Sequence, residues 1–129
     1  MQWYLTDYGE QRLKFELDLL KIDFPQVHIL LSDDQCIAVH GKLGKSNVCE
    51  KNYTVYAKYP VSFPNTRPRV WLPEEEMPLT TPHAYQPWNS ELCLDHNDFS
   101  PDDTMSTVLG WAVQWCALYE HFLKTGETW

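Results

Sequence analysis

The sequence is poor in positive charge. Ten lysine and arginine residues stand against eighteen aspartate and glutamate residues, for a formal net charge of −8. The basic residues are scattered along the chain, and no basic stripe can be drawn through them. Because binding to a phosphate backbone depends on clustered lysine and arginine side chains, we expect no nucleic-acid partner. The acidity can steer a basic protein surface towards the chain.

Long apolar runs are also absent. No stretch approaches the about 18 consecutive apolar residues that a membrane-spanning helix needs. The first seven residues, MQWYLTD, lack the basic start and the apolar core of a secretory signal. We therefore expect no membrane partner and a cytoplasmic protein.

The sequence lacks the motifs of a disulfide framework, a zinc site and a nucleotide-binding site. The four cysteines form no C-x-x-C pair, which favours free thiols over a disulfide framework in a cytoplasmic chain. Cys93 and His96 form half of a zinc pattern, with His83 available as a third ligand, but the second ligand pair is missing and we expect no metal. No glycine-rich phosphate loop occurs, so we expect no nucleotide cofactor and no ATP-dependent activation by this chain.

What the sequence does contain is enough apolar material for a packed core. Hydrophobic residues make up 43% of its 129 residues, and six of them are tryptophans. No repeat, low-complexity segment or internal linker divides the chain. These features are typical of one globular domain spanning residues 1–129.

Two segments carry helical periodicity. Residues 8–22 place leucines at i, i+4 and i+7, with charged residues, Glu16 among them, mostly on the other faces. Phe15 and Ile22 widen the apolar side, which predicts a helix covered from more than one direction. The second helix is predicted to start with Ser100 as its N-cap and to stop at Gly126, with a long apolar stripe between them.

Four short runs between the helices are rich in β-forming residues and separated by turn signals. They predict an antiparallel meander over residues 27–31, 36–40, 53–59 and 69–72. In the third run, alternate residues from Tyr53 should face one way and those from Thr54 the other. Helices and meander together predict an α+β fold.

The segment from Thr81 to Pro101 is rich in turn residues. Prolines at 78, 82 and 87 argue against a regular helix or central strand, so we expect a loop. Leu92 and Leu94 should anchor this loop in the core and hold the Cys93 thiol towards the opposite side. By itself, a Leu-Cys-Leu triplet is more often a buried small hydrophobe than a nucleophile.

The order and spacing of several motifs resemble one family. Pro82-His-Ala-Tyr85, Leu92-Cys-Leu-Asp95 and Phe99-Ser-Pro101 resemble the active-site run of ubiquitin-conjugating enzymes, where His-Pro-Asn-x-Tyr precedes Ile/Leu-Cys-Leu and Trp-Ser-Pro follows. Trp111-x3-Trp115-x3-Tyr119-Glu120 and Thr125-Gly-Glu-Thr-Trp129 resemble the bacterial members found in CBASS anti-phage operons. The resemblance implies an N-terminal helix, a four-stranded antiparallel meander, an active-site loop and a long C-terminal helix.

The resemblance also implies a chemistry. Cys93 would accept the C-terminal acyl group of a protein as a thioester and pass it to a lysine amine of an acceptor protein. His83 matches the family's asparagine, which orders the loop and stabilises the oxyanion; a histidine N–H can donate there too, and a plain turn role stays open. Asp95 and His96 are candidates to orient or deprotonate the attacking lysine. Thr81 stands where the family has histidine.

A partner follows from the CBASS members in particular. In that family the acyl group is the C-terminus of a cGAS-like nucleotidyltransferase, and joining it to a target primes antiviral signalling. Trp129 is a candidate docking residue for this partner, whereas Trp111 and Trp115 fit core packing equally well. Whether a separate activating enzyme is needed, or the donor arrives activated, stays open.

Other functions fit the same residues. One is a non-catalytic binding module of the same fold, another is a Cys-His hydrolase with His83 as base, and a third is a conjugating enzyme for a bacterial ubiquitin-like protein. No lysine or arginine lies between Arg69 and Lys124, and acidic residues flank the cysteine. This suits a relay cysteine with an activated substrate better than a self-activated hydrolase.

Overall fold

In the computed structural model, which describes residues 1–95 and 97–129, a helix, a sheet and a second helix follow one another. The first helix, α1, spans Asp7–Asp23, and the last, α2, spans Met105–Thr125. Six strands lie between them: β1 Val27–Leu31, β2 Ile37–Lys42, β3 Thr54–Lys58, β4 Arg69–Trp71, β5 Ala84–Gln86 and β6 Glu91–Leu92. Within the described ranges, neither long helix is apolar enough to cross a membrane.

All six strands join one antiparallel sheet in the order β1-β2-β3-β4-β6-β5. The first four correspond to the four predicted runs, although β2 continues through Gly41 and Lys42, where the sequence predicts a turn. The predicted alternation in the third run is confirmed, since Val55 and Ala57 are fully buried while Tyr56 and Lys58 are only half-buried. The meander therefore presents one face to the core.

The prediction of a strand-free loop after β4 is wrong in part. Two short strands, β5 and β6, form there, because none of the three prolines lies inside them; Pro87, for example, directly follows β5. Strand β6 pairs with β4 through Trp71 and Glu91, and with β5 through Ala84 and Leu92. This pairing places the residues next to His83 beside those next to Cys93.

Helix α1 confirms the predicted helix but not the assignment of its faces. Leu20 is buried, as expected for the leucine stripe. Phe15 and Ile22, which were expected to be covered, are 52% and 75% exposed. Glu16, which was expected on a solvent face, is completely buried. The carboxylate tolerates burial because it accepts hydrogen bonds from three groups, on α1, on the segment after β3 and at the start of α2.

The start of α2 also departs from the prediction. Thr104, not Ser100, is the N-cap, and its side chain accepts a hydrogen bond from the Thr107 N–H at 3.1 Å. Ser100 does exchange hydrogen bonds with Asp103, but this turn does not continue as helix. The local capping sequence at Ser100 therefore does not set the start of α2, and the cause lies in another part of the chain.

The cause is the Arg12–Glu16 pair of α1. Arg12 donates to the backbone carbonyls of Pro101 at 2.9 Å and Asp103 at 2.6 Å. Glu16 accepts from the Met105 N–H at 2.8 Å. In a helix starting at Pro101, that N–H would bond to the Pro101 carbonyl. Both groups are bound to α1 instead, so α2 begins one turn later.

Helix α2 supplies much of the core. The predicted apolar stripe is confirmed over most of its length, with buried Met105, Val108, Leu109, Ala112, Cys116 and Tyr119. Leu123, at the end of the predicted stripe, is 51% exposed. Gly126 ends the helix as predicted: it adopts a left-handed conformation with φ of 75°, and its N–H bonds to the Phe122 carbonyl at 2.8 Å.

Candidate active site

Cys93 directly follows β6, at the edge of the core. Leu92 and Leu94 have no exposed surface, whereas Cys93 is half-buried. Side chains alternate along an extended backbone, so the thiol points away from the core that its neighbours fill. The predicted anchoring of this cysteine by two leucines is confirmed.

The other three cysteines are less suited to chemistry. Cys36 and Cys116 are buried, and burial raises the pKa of the Cys116 thiol well above its ordinary value. Burial also raises the pKa of Cys49, which is half-buried like Cys93. A thiol held in its neutral form is a poor nucleophile. All four cysteines are free thiols, as predicted.

His83 lies beside Cys93 and is fixed through its backbone. Its carbonyl accepts one hydrogen bond from the Cys93 N–H at 2.8 Å and a second from the Trp115 indole N–H, also at 2.8 Å. The residue has a φ of 52°, in the left-handed region that histidine visits more readily than most side chains. The pair of donors holds this uncommon conformation in place.

The His83 side chain contacts the far end of the chain. Its Nε2 lies 2.6 Å from the backbone oxygen of Trp129, and the two rings are 5.5 Å apart. The Trp129 ring also packs edge-on against Trp115 at 5.6 Å and near Phe122 at 6.4 Å. Trp129, predicted as a docking residue for a partner, is therefore packed against its own chain in this structure.

Asp95 is held by two residues from other elements. Arg67 donates to one carboxylate oxygen at 2.7 Å, and the Tyr85 hydroxyl donates to the other. The Asp95 side chain remains 62% exposed, while the Arg67 side chain is only 14% exposed. The carboxylate is thus fixed in orientation and still open to solvent.

A polar cleft of about 620 Å³ lies next to this cluster. Arg67, Tyr85 and Asp95 line it together with Arg69 and Glu91. Arg69 makes two hydrogen bonds to Glu91, at 2.8 and 2.7 Å, and these bonds raise the pKa of Arg69. Two arginines therefore neutralise two of the acidic residues that flank the cysteine in sequence.

Of the four predicted site residues, the structure brings three to one region. Cys93 and His83 are joined by a backbone hydrogen bond, and Asp95 lies two residues beyond the cysteine. His96 falls outside the described residues. The arrangement offers a half-buried thiol, a ring nitrogen able to donate, and an oriented carboxylate, a set suited to acyl transfer through sulfur.

Sequence reasoning missed three residues of this site. Tyr85 belongs to the motif that carries the family resemblance, so its position in that motif was a usable signal. Trp115 was considered as core or partner surface, not as a donor to the active-site loop. Arg67 lies 28 residues before Asp95 and has no local signal at all.

Comparison with known proteins adds two findings. A family model described as type II CBASS E2 protein matches residues 16–129. Among solved structures, the chain is similar to the ubiquitin conjugating enzyme E2 UbcA1 from Agrocybe aegerita, with a TM-score of 0.53 and 18% sequence identity over 89% of this chain and 92% of that chain. At this identity the second likeness concerns the fold, which is ubiquitin-conjugating-like. No curated protein matches the chain.

Proposed function

Because the chain belongs to the family of type II CBASS E2 proteins, we propose that it is a ubiquitin-conjugating-like acyltransferase that carries its acyl group on Cys93. The observation that carries this proposal is the bond between the Cys93 N–H and the His83 carbonyl. It joins a half-buried thiol to the residue that matches the family's oxyanion-stabilising asparagine. The other three thiols are buried or held neutral.

The reaction has two steps. In the first, the Cys93 thiolate attacks the carbonyl carbon of an activated protein C-terminus, such as an acyl adenylate; a C–S bond forms, and the activating group leaves with the bonding electrons. In the second, a lysine amine attacks the thioester carbonyl, a C–N bond forms and the sulfur leaves as thiolate. The nitrogen then gives its proton to solvent or to a nearby base. The thiol needs little activation because its substrate arrives activated.

His83 and Asp95 have separate tasks in this proposal. A His83 ring N–H donates to the oxyanion that develops in each step. Asp95, oriented by Arg67 and Tyr85, attracts and aligns the ammonium group of the incoming lysine, which attacks as the neutral amine after it has lost a proton to solvent. Its exposure allows a large acceptor protein to approach.

For the acyl donor we propose the C-terminus of a cGAS-like nucleotidyltransferase. Support comes from the family's link to CBASS and from the CBASS-type tryptophan pattern of the C-terminal region. The acceptor is a lysine-bearing protein, and the conjugate primes antiviral signalling. Activation is left to a separate enzyme or to a pre-activated donor, since the sequence has no phosphate loop.

The test is a single-turnover incubation with the nucleotidyltransferase and its activating system, followed by intact-protein mass spectrometry. The parent chain should gain the donor mass through a bond that thiols cleave. Cys93→Ala should gain none, and Cys93→Ser should trap a thiol-resistant oxyester. Neither change removes much packing, because Cys93 is only half-buried. Cys49→Ser, which changes another half-buried thiol in a different loop, is the matched control and should behave like the parent.

Different outcomes would assign different functions. An adduct on Cys93→Ala as abundant as on the parent contradicts the mechanism. Rapid release of a model thioester without transfer to lysine identifies a hydrolase. A stable complex with neither adduct nor turnover identifies a binding module, and charging with an unrelated ubiquitin-like protein identifies a separate bacterial conjugation pathway.

A further inference from the structure

Residues 126–129, which we call the strap, fold back from the end of α2 towards the active-site segment. Gly126 reverses the chain through its left-handed conformation. Glu127 then bonds through its N–H to the Thr125 hydroxyl at 3.0 Å and through its carboxylate to His121 at 2.9 Å. These contacts fix the direction in which the strap leaves the helix. It ends with Trp129 against His83.

Apolar packing anchors the Trp129 side chain. Its ring fits against Trp115, Phe122 and His83, with ring centres 5.5 to 6.4 Å apart. Its indole nitrogen has no accessible surface and no hydrogen-bond partner among the residues the structure describes. The ring is therefore held by shape and apolar contact, and the polar specificity lies in the backbone oxygen that meets His83.

That backbone oxygen determines which nitrogen of the His83 ring carries a proton. This backbone oxygen acts as an acceptor, so Nε2, which lies 2.6 Å from it, carries a proton. The same N–H is a candidate donor to the oxyanion of an acyl group on Cys93. It cannot serve the strap and an incoming acyl carbonyl at the same time.

We infer that His83, Trp115 and Phe122 form the seat of the donor protein's C-terminal segment, and that the strap occupies this seat in the resting protein. The inference rests on the proposed function. The strap presents the Trp129 backbone oxygen at His83 and a large apolar side chain beside the aromatic rings. A donor would therefore be an extended C-terminal segment with a large apolar side chain, and it must displace the strap before Cys93 is charged. The strap is an intramolecular competitor.

The fraction of molecules with a closed strap sets the strength of this competition. A site that is open in a fraction of molecules binds its ligand with an apparent affinity reduced by that fraction. If the strap is closed in roughly nine molecules of ten, its removal should tighten binding in trans about tenfold.

The experiment uses the full chain, ¹⁵N-labelled at histidine and tryptophan, and the acetylated tetrapeptide Gly-Glu-Thr-Trp as probe. In the parent the His83 ring should show the Nε2–H tautomer. In Trp129→Ala its ring signals and the Trp115 indole signal should move, and the added peptide should move them back with a dissociation constant about tenfold below that of the parent. Trp129→Phe should resemble the parent, since the indole N–H has no partner among the described residues.

Two further variants guard the result. Trp88→Ala removes a 73% exposed tryptophan and its own indole signal, and it should leave the His83 and Trp115 signals and the peptide affinity unchanged. Glu127→Ala removes the contact between Glu127, whose side chain is 72% exposed, and His121, and so loosens the strap without touching its packed ring. It tests strap opening even if Trp129→Ala folds poorly. Equal peptide affinity in parent and strap variants, or unmoved His83 ring signals in both of them, would overturn the inference.

This titration needs no acyl donor, so it decides the strap's role separately from the proposed function. Where the parent does form an adduct on Cys93, Trp129→Ala should form it about tenfold faster at sub-saturating donor. An unchanged charging rate contradicts competition at this seat. Failure of both chains to charge would refute the acyltransferase function, while the peptide result would still establish or exclude a C-terminal peptide seat.

Discussion

At the scale of single residues, the site depends on the backbone of His83. Its φ of 52° lies in the left-handed region, where asparagine and histidine are among the few non-glycine residues often found. The Cys93 N–H and the Trp115 indole both bond to its carbonyl. An asparagine would fit the same backbone, so the choice between the two residues concerns only the side chain.

We predict that His83→Asn retains adduct formation within about tenfold of the parent, whereas His83→Ala loses about a hundredfold or more. Asparagine keeps an N–H donor but has no basic nitrogen, so it separates oxyanion stabilisation from general-base catalysis. The measurement is the initial rate of Cys93 charging under single-turnover conditions.

The control for this prediction is the folded state of each variant. Alanine is strained at a positive φ, at a cost of about 1–2 kcal/mol, so circular dichroism and urea unfolding should accompany the rates. If His83→Asn proved as inactive as His83→Ala while remaining folded, His83 would act as a base, and the hydrolase hypothesis would gain support.

At the scale of elements, one buried polar network joins the two helices and the sheet. The Glu16 carboxylate accepts from Arg12 at 3.1 Å, from the Tyr59 hydroxyl at 2.7 Å and from the Met105 N–H at 2.8 Å. Arg12 in turn bonds to the Pro101 carbonyl. The network fixes where α2 begins, and so sets the length of the segment between Cys93 and that helix.

Glu16→Gln should lower the free energy of unfolding by about 3 kcal/mol, because it leaves the Arg12 charge, only 12% exposed, without its partner. Urea unfolding at pH 7 measures this loss. Glu10→Gln, on an exposed face of the same helix, is the matched control and should stay close to the parent. A loss no larger than in the control would show that the network does not stabilise the fold.

Tyr59 makes the same network sensitive to alkaline pH. Burial, and then the neighbouring Glu16 carboxylate, raise the pKa of Tyr59 well above its ordinary value. The folded state keeps the proton while an unfolded tyrosine loses it near pH of about 10. This contribution to stability is therefore fully present below about pH 10 and declines as the pH rises further.

Tyr59→Phe should be less stable than the parent at pH 7 by about 1–2 kcal/mol, since one hydrogen bond to a charged group is lost. Above about pH 10 the difference should shrink, by up to about 1.4 kcal/mol per pH unit. Urea unfolding from pH 7 to 11 measures both effects, and Tyr8→Phe, a 73% exposed tyrosine, is the control at pH 7. A constant gap across this range would contradict the linkage. Burial also raises the pKa values of Tyr53 and Tyr119, so the variant itself should still lose some stability at alkaline pH.

At the scale of the whole molecule, the acidic surface and the C-terminal seat together define the partner we propose. We predict that the chain, with its net charge of −8, co-elutes with a co-expressed cGAS-like nucleotidyltransferase on size-exclusion chromatography. Deleting the last residues of the nucleotidyltransferase tail should weaken this complex. Unchanged co-elution without the tail would place the contact elsewhere, and no complex at all would argue against this donor.

Local rules were enough to predict most of the fold. Alternating side chains located the four main strands, the leucines around Cys93 oriented its thiol, and Gly126 marked the end of α2. Each of these features depends on residues a few positions apart, whose hydrogen bonds and burial follow from backbone geometry. The candidate site residues Cys93, His83 and Asp95 were found through motif order, which is also local.

Only the tertiary structure decided which groups meet across the chain. Arg12 reaches carbonyls 89 and 91 residues away and moves the start of α2 from the well-formed local cap at Ser100. Arg67 reaches Asp95, and Trp129 reaches His83 across 46 residues. The physical reason is that a buried charge or ring binds whichever partner the fold brings within hydrogen-bonding or contact distance. The position of that partner in the sequence does not follow helix or strand periodicity.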